Sequence, residues 1–208
     1  MDIALMWDYT DEVIPEDEVI AAARMDAIEL GANPVSPSVG ATLRLLTAAL
    51  SARSVFEVGT GAGVSGLYVL QGMPENGVLT TIDSEGESQQ AARASFKCAG
   101  FPSSATRVFN GRALDMMPRM NAEAYDLVIL DGNPEEVPYY LPHATRMLRP
   151  GGVLVIVHAM LRGQVADPVR RDGVTVGMRE VIDVLTSSEG YFPCMLPCSD
   201  GVLAVVKR

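Results

Sequence analysis

Five short apolar runs in this chain each end on residues able to handle a charged small molecule. Glu57 leads into Gly59-Thr60-Gly61-Ala62-Gly63-Val64-Ser65-Gly66 after the first run. Asp83, followed by Ser84, ends the second, and Gly111-Arg112-Ala113 follows the third. Asp131-Gly132-Asn133 follows the fourth, and His158-Ala159 the fifth. Glycines without Cβ let backbone N–H groups at a helix start come close to a ligand. A carboxylate at the position of Asp83 can accept hydrogen bonds from both hydroxyls of a ribose, which implies an adenosine-type ligand. The spacing Gly61–Gly66 is also G-x-G-x-x-G, so a dinucleotide stays open. Glu57 speaks against it, because a pyrophosphate is repelled by a nearby carboxylate whereas a sulfonium carrying a free amino group is attracted. A buried structural role for Glu57, bracing the helix start, is the competing reading.

These groups share one edge only if the runs are parallel strands. Ser54–Val58, Val78–Ile82, Thr106–Phe109, Asp126–Leu130 and Val153–Val157 read as strands, several of them apolar almost throughout, as strands covered on both faces are. Helical patterns lie between them at Ser65–Leu70, Gly86–Ala99 and about Tyr139–Leu148, with a turn near Leu114–Met117. Pro138 and Pro142 blur the start of the 139–148 helix. Thr175–Ser188 reads as a helix, and Phe192–Pro197 with Val202–Lys207 as a hairpin around Ser199-Asp200-Gly201. Ahead of the strands, residues 1–14 read as an irregular arm. A helix opens at Pro15-Glu16-Asp17-Glu18 and stops at Gly31, and a second starts with Ser38 as its cap. The polar stretch Leu161–Val174 reads as a mobile loop over the active edge. The expected fold is α/β: a doubly wound, mostly parallel seven-stranded sheet with N-terminal helices and a C-terminal antiparallel hairpin. Residues 1–208 read as one domain, with arm and helices over 1–52 and the ligand-binding core over 53–208.

Composition narrows the classes. With 208 residues, 48% of them hydrophobic and 20% charged, the chain can bury one sizeable core. The formal charge of −10 disfavours a nucleic-acid interface, which needs Lys and Arg against phosphate. No apolar run is long enough for a bilayer and the N-terminus shows no leader pattern. Three cysteines and two histidines argue against a structural zinc site, and unpaired thiols suit the cytoplasm.

Glu57-Val58-Gly59-Thr60-Gly61-Ala62-Gly63, Asp83, Leu127–Asp131 and Leu148-Arg149-Pro150-Gly151-Gly152-Val153-Leu154 resemble the successive motifs of class I S-adenosylmethionine-dependent methyltransferases. More narrowly, the chain resembles the small-molecule O-methyltransferases related to the caffeoyl-CoA and catechol enzymes. Val35-Ser36-Pro37-Ser38-Val39-Gly40 sits where that family brings a pre-sheet loop onto the cofactor, and Val165-Ala166-Asp167-Pro168 through Arg179-Glu180 together with Leu196-Pro197-Cys198-Ser199-Asp200-Gly201-Val202-Leu203 resemble the tail of the bacterial members. The resemblance spans about 15–208 and implies a Rossmann-like methyltransferase fold, S-adenosyl-L-methionine as cofactor, a small hydroxyl-bearing acceptor and a homodimer. It implies that Val35 contacts the methionine end through its backbone and that Glu57 holds the amino group. Gly59, Thr60, Gly61, Gly63 and Ser65 would line the carboxylate and the turn. Asp83 and Ser84 would meet the ribose, Arg112 and Ala113 the adenine, and Asp131 the sulfonium.

The resemblance breaks at the metal. Such enzymes hold a divalent cation with an Asp after the fourth strand and an Asp-Asn pair after the fifth, and place a lysine near the first Asp. Here Asp131 stands, but the pair is His158-Ala159 and Gly132-Asn133-Pro134-Glu135 holds no lysine. Three readings stay open: a metal-independent enzyme with His158 as general base and Asp131 beside it, a softer ion on Asp131 and His158, or a site that binds cofactor without turnover. A nicotinamide-dependent oxidoreductase is the remaining competitor.

Overall fold

The computed structural model describes residues 3–208. Three helices precede the sheet: α1 (Ile3–Glu12), α2 (Glu18–Glu29) and α3 (Pro37–Ala49). The first corrects the expectation of an irregular arm; Met1 and Asp2, included in that expectation, lie outside the described residues. Asp11 shows what α1 does, since its Oδ1 accepts from Ser38 N at 2.9 Å and so caps α3 from another helix. The cap of α3 within its own chain segment is Ser36 rather than Ser38. Pro37 has no N–H and a φ suited to the first helical position, which moves the boundary two residues forward. Asp17 caps α2 by accepting from Val19 N and Ile20 N.

The strands are β1 (Ser54–Val58), β2 (Val78–Asp83), β3 (Thr106–Asn110), β4 (Tyr125–Leu130), β5 (Leu148–Ile156), β6 (Tyr191–Leu196) and β7 (Val202–Lys207). They form one sheet in the order β3-β2-β1-β4-β5-β7-β6. The first five are parallel, and β7 runs antiparallel to both β5 and β6. Helices α4 (Val64–Gly72), α5 (Gly86–Cys98), α6 (Ala113–Met116), α7 (Val137–Met147) and α8 (Gly173–Ser187) connect them. Pro142 lies inside α7, and Pro138 falls in its first turn, where the missing N–H is harmless.

Strand alternation divides the core into two layers. Val55, Leu79, Leu127 and Ile129 face one side with Leu43, Leu67, Tyr68 and Phe96. Phe56, Val58, Ile82, Val128 and Leu130 face the other with Tyr140, Met147, Met178 and Leu185. Burying each such side chain contributes about 1.5–3 kcal/mol, which is why the central strands read as unbroken apolar runs. The order reverses between β1 and β4, so the connections after these strands leave on opposite faces and open a crevice at their carboxyl ends.

The stretch 161–174 is not loose. Arg179 on α8 donates to the carbonyls of Val165 at 2.9 Å, Gln164 at 3.1 Å and Arg170 at 2.8 Å, and also to that of Asp167. One planar guanidinium with five donors thereby ties a segment with no apolar core of its own to the helix that follows it. Among the described residues, no helix is long and apolar enough to cross a membrane.

Candidate active site

Three adjoining hollows lie along the carboxyl edge of the sheet. The smallest, about 130 Å³, is walled by the 33–35 loop, the glycine turn, Ser65, Asp83 and Asp131. The second, about 420 Å³, lies between Asp83, Ser84, Arg112, Ala113, Asp131 and Tyr140. The third, about 470 Å³, is bounded by Asn33, Asp131, His158, Arg162, Gln164 and Asp200. The two larger spaces fall within the range of small-molecule pockets, roughly 300–1,000 Å³, and the smallest has room for an amino-acid-sized group only. Asp131 belongs to all three, so it stands where they meet.

Most residues expected at the site are brought together. Val35, Gly59, Thr60, Gly61, Ser65 and Asp83 wall the smallest hollow, while Ser84, Arg112 and Ala113 join Gly59 and Asp83 in the second. Asp83 closes β2, and its Oδ2 accepts from Gly61 N at 2.8 Å while Oδ1 accepts from Glu85 N at 3.0 Å. Each oxygen keeps a further lone pair, so the carboxylate is held in place and still able to accept from two hydroxyls. Gly59 adopts φ +95°, and a Cβ there would come within 2.2 Å of the Asp131 carbonyl oxygen. That close contact sets the glycine turn against the end of β4.

Two of the expected residues lie apart from these walls. Gly63 walls none of these hollows; it starts α4 at φ +93°, and a Cβ would press on Phe96 and Ala92 of α5 at 3.0–3.1 Å. Its task is helix packing. Glu57 is fully buried and lies outside all three walls. Sheet register sets Glu57 beside Thr81, whose hydroxyl donates to Oε2 at 2.7 Å and lies 2.8 Å from the Thr60 hydroxyl. Glu57 thus braces the floor of the turn through Thr60, while its Oε1 has no hydrogen-bond partner within normal geometry among the described residues. Burial pushes its carboxyl up to about 7, against the pull of the Ser65 and Thr81 hydroxyls and with the help of Asp83.

Asp131 is likewise held well above the usual carboxylate range, by burial first and then by the charges of Glu57 and Asp83. Asp83 and Asp131 line the smallest hollow, with Glu57 buried beneath it and no lysine or arginine in its wall, so the site attracts positive charge.

His158 follows β5 in a left-handed conformation, φ +57°. Its Nε2 lies 3.6 Å from Asp131 Oδ1 and its Nδ1 3.5 Å from Asp200 Oδ2. Both distances exceed a hydrogen bond but allow charge attraction. Asp200, from the turn between β6 and β7, was missed by sequence reasoning. Asp-Gly after a strand reads as ordinary turn chemistry, and only the antiparallel pairing of β7 with β5 carries it to His158.

These donors do not fit the divalent cation that the resemblance implies. Hard cations take a shell of oxygen ligands around one point. Ala159 offers no donor, and the two carboxylates face opposite edges of the His158 ring. Among the described residues no three His, Cys, Asp or Glu side chains converge on one point.

A family model described as O-methyltransferase matches residues 14–208. An O-methyltransferase-family protein of Mycobacterium avium is 44% identical over 199 residues, covering 96% of this chain and 90% of its own. A crystal structure of a Corynebacterium glutamicum protein superposes with a TM-score of 0.91 at 33% identity, over 98% of this chain and 96% of that one. The O-methyltransferase TomG from Streptomyces achromogenes, involved in tomaymycin synthesis and solved in complex with S-adenosylmethionine, superposes with a TM-score of 0.88 at 26% identity, over 100% of this chain and 99% of its own. This chain belongs to the O-methyltransferase family.

Proposed function

We propose that this O-methyltransferase binds S-adenosylmethionine across the first two hollows and methylates a hydroxyl oxygen of a small molecule held in the third. The observation that carries the reading is Asp131, placed where the three spaces meet, with the Asp83 and Glu57 carboxyls near it and no lysine or arginine in the smallest hollow. When bound, S-adenosylmethionine supplies an electrophilic methyl on a cationic sulfur. TomG, of similar fold and in complex with that molecule, supports the assignment. The ribose falls to Asp83, the adenine to the Arg112-Ala113 turn, and the amino-acid end to the hollow of Val35, Thr60 and Ser65. Asp131 rather than Glu57 faces the positive groups, and Glu57 acts from below by bracing Thr60. A pyrophosphate would find no cationic side chain in the smallest hollow, which disfavours a dinucleotide.

His158 borders the acceptor space and takes the hydroxyl proton as the oxygen attacks. No step is assigned to a cation, because the donors do not suit one. Holding oxygen and methyl in line is the main contribution, and such orientation can supply on the order of 7–11 kcal/mol. The test is transfer of a tritiated methyl from S-adenosylmethionine to a panel of small phenols and catechols, with and without EDTA. The reading expects labelled ether that survives EDTA and falls at least about tenfold in His158→Ala, within the range of general base contributions. Turnover abolished by EDTA refutes the cation-free mechanism, and cofactor binding without turnover on any acceptor favours a non-catalytic binding protein.

The reading extends to a cytoplasmic homodimer. Free thiols at Cys98, Cys194 and Cys198 support the compartment. Exposed Trp7, Tyr9, Val13, Met25 and Ile28 on or beside the N-terminal helices support pairing there. Light scattering reads the mass directly.

A further inference from the structure

The segment after β5 is costly to hold. His158, Leu161 and Arg162 have φ of +57°, +48° and +53°, left-handed values that side-chain-bearing residues avoid. Such clusters persist only where their surroundings over-determine them. Here the surroundings are one short turn at the far end of the chain. The Asp200 carbonyl accepts from Met160 N at 2.9 Å, and the Gly201 carbonyl from Ala159 N at 2.9 Å. Asp200 Oδ1 accepts from Arg162 N, and its Oδ2 lies 3.5 Å from His158 Nδ1. Asp200 therefore reaches the segment at three successive points, and its side chain is only 17% exposed.

We propose that Asp200 is a positioning residue that fixes both the ring orientation and the proton location of His158 toward the acceptor hollow. The inference rests on the reading of that hollow as the acceptor space. An ionised carboxylate only accepts hydrogen bonds, so beside Nδ1 it favours the imidazole that carries its proton there, while the Asp131 carboxyl 3.6 Å from Nε2, its ionisation opposed by burial and by the charges of Glu57 and Asp83, competes less for that proton. Nε2 then keeps its lone pair and points to the side of Asp131 and the acceptor. That form can take a hydroxyl proton; the opposite tautomer cannot do so through Nε2. The longer spacing shortens to a hydrogen bond when an acceptor closes the site, as is common for catalytic contacts. Arg162, whose backbone the same carboxylate holds, borders the same hollow. One side chain thus sets two walls of the acceptor space.

Only two histidines are present, so ring-nitrogen spectra are simple to read, and His143 on α7 serves as an internal reference. Two-bond proton–nitrogen correlation on the ligand-free, labelled protein at pH 8.5 reports which nitrogen is protonated. The expected wild-type result is His158 protonated on Nδ1. In Asp200→Asn, whose amide can donate as well as accept, the population moves at least severalfold toward Nε2–H while His143 stays unchanged. Asp200→Glu restores the wild-type pattern in part. In turnover, Asp200→Asn lowers kcat about tenfold or more and leaves the KM for S-adenosylmethionine within twofold, a split that general loosening would not give. A wild-type ring protonated on Nε2 or on both nitrogens at this pH overturns the proposal, and that measurement needs no variant to fold. An unchanged pattern in Asp200→Asn overturns it as well. If the tautomer depends on Asp200 but His158→Ala keeps full activity, the positioning stands and the base assignment falls.

Discussion

Asp126 and Asp131 lie at opposite ends of β4 and live under opposite rules. Asp126 accepts from Arg53 N at 2.8 Å, Ser54 N at 2.9 Å and Arg149 Nε at 2.6 Å, tying β1, β4 and β5 together at their amino ends. Burial works against its charge, yet Arg149 and the two backbone donors hold its carboxyl below the usual range. Asp131 is similarly secluded but faces Glu57 and Asp83 instead of a guanidinium, and its carboxyl is held high. One strand therefore carries, at one end, an acid neutralised by a guanidinium that stabilises the fold and, at the other, an acid that faces two further carboxyls and only His158. The amino edge shows what this sequence does when stability is the aim. The departure from that pattern at the carboxyl edge marks the site.

Substitutions can break this contrast. The largest expected effect is at Asp131→Asn. Methyl transfer should fall about 100–1,000-fold, the scale seen when a group aimed at transition-state charge is removed. The melting temperature should hold or rise, because burial and the neighbouring Glu57 and Asp83 carboxyls disfavour an acid at this position. Asp126→Ala should do the reverse. Stranding Arg149 and two N–H groups costs about 2–3 kcal/mol, and each kcal/mol lowers the melting point by roughly 2–4 °C in a domain of this size. Cofactor affinity should stay within about twofold, as calorimetry would report. If Asp126→Ala weakens the ligand as much as it weakens the fold, the two edges are not separable.

Asp83→Ala should lower affinity for S-adenosylhomocysteine about 10–100-fold, since hydrogen bonds to a charged group are worth about 1.5–3 kcal/mol. Glu57→Gln sharpens the contrast with the smallest effect. Glu57 in the fold holds its proton up to about pH 7, against an ordinary value of 4.5, so the folded state holds more protons than the unfolded one between these limits. Stability from this group is therefore present at low pH and lost as pH rises toward 7. Glu57→Gln should flatten that slope and raise the melting point at pH 8 by a few degrees, read by calorimetry from pH 5 to 8.

The strands, the glycine turn and the acid closing β2 were legible because each is written locally, in apolar runs and backbone chemistry. What stayed hidden depends on contacts between distant segments. Helix α1 shows no clean apolar stripe, with Met6, Trp7 and Tyr9 all exposed, so periodicity could not mark it. Its value to the fold lies in Asp11 capping α3, which no local pattern carries. Glu57 was read as facing the ligand because it adjoins the glycines; strand alternation and register instead aim it at Thr81. The polar 161–174 stretch sets only Leu161 and Val165 against the core, and Arg179 supplies polar anchors from the next helix. Asp200 is the largest omission, and it takes the closed hairpin to reveal it.

Asp83 and Asp131, with no lysine or arginine in the smallest hollow, await a cationic sulfur nucleoside. Calorimetric titration with S-adenosylmethionine and S-adenosylhomocysteine at pH 6 and pH 8 tests this most directly. The two ligands share the nucleoside and the amino acid and differ by the charged methyl-bearing sulfur. With its carboxyl pushed up to about 7, Glu57 beneath the turn is more ionised at pH 8 than at pH 6. The account expects both ligands to bind, with the preference for S-adenosylmethionine growing severalfold from pH 6 to pH 8. A preference that is flat or shrinks with pH, or no binding of either ligand at millimolar concentration, would contradict it.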